Sequence, residues 1–174
     1  MTEYKAKSTD SKNLTLTNNE NVIGKLNYKD WFSFAASICL TDNSIFQIEP
    51  KGFWGTTIEL KGEANILAKL KMNWNGDIII HTNFDNNEKD FVFKHISNSN
   101  ETIFVLGDKE HQELLTIKPK GTWSEMNYEY KITASDNFDG FNPKEILLLL
   151  AVHCANYNMV GTTATIIGGT TYFS

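Results

Sequence analysis

Asn142-Pro143-Lys144-Glu145-Ile146-Leu147-Leu148-Leu149-Leu150-Ala151-Val152-His153-Cys154-Ala155 is the stretch whose reading decides the fold. Leu and Ala favour helix over strand. Asn142 suits an N-cap and Pro143 the first helical position, where a missing N–H costs nothing. Gly161 is a natural stop, so a helix is predicted over about residues 143–160. From Ile146 to Ala155 the segment is apolar all round, and such a helix is either enclosed by protein or sits in lipid. That run is ten residues long, whereas a bilayer span takes about 17–25. Extending it to Tyr172 would carry Asn156, Asn158 and several Thr into hydrocarbon. The expectation is a buried core helix and no transmembrane span.

Outward from the helix the chain reads with period two, the signature of half-buried strands. In Tyr128 to Ala134 the apolar set is Tyr128, Tyr130, Ile132 and Ala134, and Glu129, Lys131 and Thr133 take the other face. Similar alternation runs through Ile45 to Glu49, Thr56 to Leu60 and Phe91 to Ile96. Asn75-Gly76, between Ile66–Trp74 and Asp77–Thr82, predicts a hairpin with a two-residue type I′ turn. Thr102–Leu106 and Glu113–Lys118 predict another, and Thr41–Ser44 reads as a turn between Phe32–Leu40 and Ile45–Glu49. Thr162 to Ile167 reads as a return to strand before Gly168-Gly169. About ten short, closely spaced strands argue for a barrel or sandwich. Met1 to Asn13 is polar and reads as a flexible N-terminus, leaving residues 14–174 as a single domain.

The net charge of −5 shows neither the basic domain nor the basic stripe of a nucleic-acid binder. Every cationic side chain is Lys, with no Arg, which removes the guanidinium forks that hold carboxylate or phosphate in a bidentate grip. Cys39 and Cys154 lie far apart in apolar settings and suit free thiols in a reducing compartment. With no apolar signal segment in Met1 to Asn13, a cytoplasmic location is expected.

Few motifs carry chemistry. His153 and Cys154 are the residues of a Cys–His nucleophile, but adjacent residues on a helix do not face each other, so both are read as core. His81, His95 and His111 lack HxH, HExxH or CxxC spacing, and no metal site is expected. Ser135 to Gly140 half resembles a calcium loop, yet the twelfth position is Ile146 where a bidentate Glu is needed; it is read as a turn and helix cap. Gly168-Gly169-Thr170-Thr171 lacks a P-loop Lys. No cofactor is implied. Lys69 and Lys71 share one strand face, Lys118 and Lys120 another, and these four are the candidate contacts to an anionic lipid head group, each as a point charge. Trp31, Trp54, Trp74 and Trp123 could dip into a bilayer interface but are read first as core or rim packing.

Ile45-Phe46-Gln47-Ile48-Glu49-Pro50-Lys51-Gly52-Phe53-Trp54, the hairpin around Asn75-Gly76, the Asp136-Asn137-Phe138 loop and the hydrophobic helix together resemble the tubby C-terminal-like superfamily, which includes the LURP-one-related proteins and phospholipid scramblases. The resemblance spans roughly residues 20 to 170. It implies a mainly β fold: a closed antiparallel β-barrel, here of about 10–12 strands, around one central hydrophobic C-terminal α-helix. A barrel that wide cannot fill its interior from the wall alone, and an all-apolar helix would fill it. The expected function is a non-enzymatic binding module for a protein or an anionic lipid surface. Two alternatives stand beside it: a small-ligand or enzymatic site at the barrel mouth, and membrane association through the C-terminal segment.

Overall fold

The computed structural model describes residues 1–30, 34–52, 57–98, 101–121 and 127–168. Among the described residues twelve strands form one closed antiparallel barrel in which every strand pairs with its neighbours in the chain. They are β1 (Thr2–Ser8), β2 (Asn13–Asn18), β3 (Asn21–Tyr28), β4 (Ala36–Leu40), β5 (Ile45–Lys51) and β6 (Thr57–Lys61). There follow β7 (Ile66–Met72), β8 (Ile78–Phe84), β9 (Asn87–Ser97), β10 (Thr102–Asp108), β11 (Glu113–Lys120) and β12 (Glu129–Ala134). A 3-10 turn, Asp136–Gly140, leads into α1 (Lys144–Gly168). Closure removes every free sheet edge.

The alternation seen in the sequence is the inside and outside of this wall. In β12, Tyr130, Ile132 and Ala134 are buried, while Lys131 faces solvent. Inward residues from all twelve strands form one core with α1. Ile146 to Ala155 is buried throughout, so the helix occupies the barrel axis. It lies nearest to β3, β4 and β9. With the wall apolar on all sides, an all-apolar helix loses nothing by lacking a polar face.

Six expectations change. Residues 2–8, expected to belong to a flexible N-terminus, form β1, which pairs with β12 on one side and β2 on the other and closes the barrel. Tyr4, Ala6 and Ser8 point inward there, but two of them are too small or too polar to advertise a strand. The helix begins at Lys144, with the Pro143 carbonyl accepting the first bond from the Leu147 N–H at 3.4 Å. Gly161 does not stop it, and Thr162 to Ile167 is helical rather than a strand. Twelve strands already complete the barrel, so no edge remains for those residues to extend.

The β7–β8 hairpin has a three-residue loop, not the two-residue type I′ turn. Asn73 and Asp77 close it, with the Asn73 N–H donating to the Asp77 carbonyl at 2.8 Å. The Gly76 N–H donates to the Asn73 carbonyl at 3.1 Å, and only Gly76 of the three has positive φ, at +84°. This is a type I turn followed by a left-handed glycine. The Asn73 side-chain oxygen also accepts from the N–H groups of Asn75 and Asp77. Trp74, expected in core or rim packing, is instead fully exposed at the tip of this loop. Trp31, Trp54 and Trp123 fall in the chain between β3 and β4, β5 and β6, and β11 and β12, and lie outside the described residues.

Candidate functional site

The barrel interior holds a polar cluster on the last buried turns of α1. His153 and Asn156, three apart, share one helix face. Tyr28, Tyr128 and Tyr130 reach them from β3 and the start of β12. The Tyr130 hydroxyl donates to Asn156 Oδ1 at 2.7 Å. The Asn156 amide donates to the hydroxyls of Tyr28 at 3.0 Å and Tyr128 at 3.4 Å. Tyr28 and His153 Nδ1 share a further bond of 3.1 Å. His153 thus has a side-chain hydroxyl as its partner. Its Nε2 has no partner among the described residues.

This cluster holds charge off rather than using it. Burial pushes the His153 imidazole down to about 4 and raises the Cys154 thiol far above its ordinary value. A neutral imidazole beside a protonated thiol is not an activated nucleophile pair. A void of about 20 Å³ beside His153, Cys154 and Tyr157 has room for about one water molecule. Cys39 and Cys154 are both free thiols. Among the described residues no group of three or more His, Cys, Asp or Glu is placed to hold a metal. Ser135 to Gly140 forms the 3-10 turn, anchored by the buried Phe138.

The outer wall is different. Lys5 of β1, Lys131 of β12 and Lys118 of β11 stand directly opposite one another in register, three ammoniums in one row across three strands. The neighbouring row is Lys7, Glu129 and Lys120. Like charges set directly opposite in a sheet weaken it. Three carboxylates temper the cost. Glu129 is paired with Lys5 and Lys120, each at 3.1 Å, Glu3 with Lys131 at 2.7 Å, and Glu101 with Lys118 at 2.8 Å. Partial burial drives the Glu129 carboxyl up, but hydrogen bonds from Lys120 and Lys5 outweigh it and hold it below its usual range. Five lysines thus face three carboxylates, and Lys7 has no ion pair among the described residues. A groove of about 1070 Å³ runs along this wall, lined by Lys5, Lys7, Lys120 and Lys131 together with Glu3, Glu20 and Glu129.

The four lysines picked out in the sequence do not form one site. Lys118 and Lys120 belong to the basic wall. Lys69 and Lys71 lie on the outer face of β7, opposite Glu59 and Thr57 of β6, with β8, β9 and β10 between them and β11. Lys5 and Lys7 went unseen because they lie in the segment read as flexible. Their signal was the alternation Glu3, Lys5, Lys7 against Tyr4, Ala6, Ser8. Lys131 was visible as an outward residue, but only the barrel register sets it between Lys5 and Lys118.

No helix among the described residues is long and apolar enough to cross a membrane. No protein-family model, curated protein or solved structure matches the chain.

Proposed function

We propose that the chain is a tubby-like, non-enzymatic binding module of the cytoplasm whose basic wall contacts an anionic lipid surface. The observation that carries this reading is the row Lys5–Lys131–Lys118 in direct register, flanked by Lys7 and Lys120. Such a row costs the sheet stability, and a bound anionic surface would repay it. Lys offers a compact charge on a long stem, which suits a diffuse array of head groups better than one geometrically defined phosphate. The open groove and the filled interior favour a surface over an enclosed small ligand. Each Lys near such a surface contributes about 1 kcal/mol.

Flotation with vesicles of phosphatidylcholine, with and without phosphatidylserine, tests this. The intact protein is expected to float only with the anionic vesicles, and less as salt rises. Lys5→Glu with Lys131→Glu is expected to lower that binding by more than about tenfold. Recovery that ignores vesicle charge, or no recovery at all, would end the lipid reading. A protein partner captured through the same lysines would replace it.

A further inference from the structure

The end of the barrel where α1 enters is acidic. Each of its five hairpin turns carries a carboxylate: Glu20, Asp42, Glu63, Asp85 and Glu110. Asp136 and Asp139 add to them just before the helix, and Lys109 is the one lysine in those turns. On one side of this mouth a β-bulge opens the rim. Leu16 pairs with Gly24 and Thr17 with Val22, so Ile23 of β3 is left without a partner on β2. A bulge re-aims the extra side chain. Ile23 lines a groove of about 460 Å³ between the wall and the first turns of α1.

The groove joins apolar and acidic surface. Its apolar part is Ile23, Leu40 and the buried Leu148, and its acidic part is Asp42 and Glu145. Glu145 and Leu148, three apart on α1, share one helix face, so carboxylate and isobutyl group meet the groove together. Glu145 is half-buried, yet its carboxylate has no ion pair or hydrogen bond among the described residues. Lys144, the lysine that lines the groove, is engaged with Asp139 at 3.3 Å instead. A carboxylate that has lost part of its water without gaining a partner is stabilised by a cation brought to it.

We infer that this mouth groove is a binding site for an aliphatic primary amine, whose ammonium meets Glu145 and Asp42 while its alkyl stem covers Ile23, Leu40 and Leu148. A groove of about 460 Å³ has the size of a small-molecule site, and barrel mouths are a usual place for one. Charge selects the head. An anion would face Asp42 and Glu145, with Glu20 in the adjoining turn and Lys144 already committed to Asp139. The stem supplies the rest, because an ammonium beside the exposed Asp42 alone would stay in water and gain little. The site stands apart from the lipid reading: none of the five lysines of the basic wall lines it.

The probe is octylamine, titrated at neutral pH into the isotope-labelled full chain and followed through its backbone amide resonances. The amides of Val22, Ile23, Leu40, Thr41 and Glu145 are expected to move together on one saturating curve. Octanoate has the same stem and the opposite charge, and methylamine the same head and no stem. Both are expected to leave those amides in place at equal concentration. Glu145→Gln keeps the shape and removes the charge, and is expected to bind octylamine about tenfold more weakly. Asp42→Asn, in an exposed turn, is the second variant and is expected to weaken binding in the same direction. The spectrum of each variant without probe shows that it folds. Equal shifts with octanoate would make the groove merely apolar and overturn the amine assignment. Shifts that do not saturate, shifts away from the mouth, or undiminished binding by both variants would overturn the site.

Discussion

Gly24 of β3 faces Leu149 of α1 so closely that a Cβ on Gly24 would stand 2.9 Å from the Leu149 Cδ1. It would also stand 3.1 Å from the Cys39 carbonyl oxygen, which belongs to the sheet and cannot turn aside. The missing side chain makes room for Leu149 of the central helix against this strand. Gly24→Ala is expected to cost about 1–3 kcal/mol as the helix is forced off the strand. Gly140→Ala, where a Cβ meets nothing within 4 Å, is the control and is expected to change stability by less than about 0.5 kcal/mol. Urea midpoints of the two variants decide the matter.

Asn156 ties three tyrosine hydroxyls to the helix inside the barrel. Replacing it with Ala takes one hydrogen-bond partner from each of those hydroxyls inside the core. A loss of about 3 kcal/mol is expected, read from denaturant unfolding. A loss under about 1 kcal/mol would show that the cluster is held by the wall alone.

His153 makes stability depend on pH. Burial lowers its folded-state pKa from 6.5 to about 4, so the unfolded chain takes up a proton that the folded chain refuses. The contribution is fully present above the unfolded value of 6.5 and is lost as pH falls toward about 4. Between about pH 7.5 and about pH 5 the expected loss is about 2 kcal/mol. His95, lowered more mildly by burial, adds in the same direction. Urea midpoints across this range are expected to flatten in His153→Gln.

Deleting residues 1–8 removes β1 and exposes the facing edges of β2 and β12. Open edges invite pairing between chains. The truncated protein is expected to elute as aggregate in size exclusion, whereas an unstructured leader could be removed without effect.

Reading the sequence worked best where burial is one-sided and repetitive. Ile146 to Ala155 announced an enclosed helix because nothing in it offers a polar face, and the Asn73–Asp77 region announced a hairpin because Gly76 tolerates positive φ. It misjudged Thr2–Ser8, where Ala6 and Ser8 contribute too little hydrophobicity to show that they face inward. It also placed Trp74 by its greasiness, although a three-residue loop of type I geometry puts that position at the tip.

The sequence by itself determined the local periods: two along the strands, an apolar run on the helix, and hence which faces must be hidden. These follow from side-chain chemistry and backbone geometry within a few residues. Only the tertiary structure decided that β1 pairs with β12, and so that Lys5, Lys131 and Lys118 share a row. It likewise decided that the carboxylates of five separate turns gather at one end and Trp74 at the other. Register and closure depend on contacts between residues more than a hundred positions apart, which no local pattern encodes.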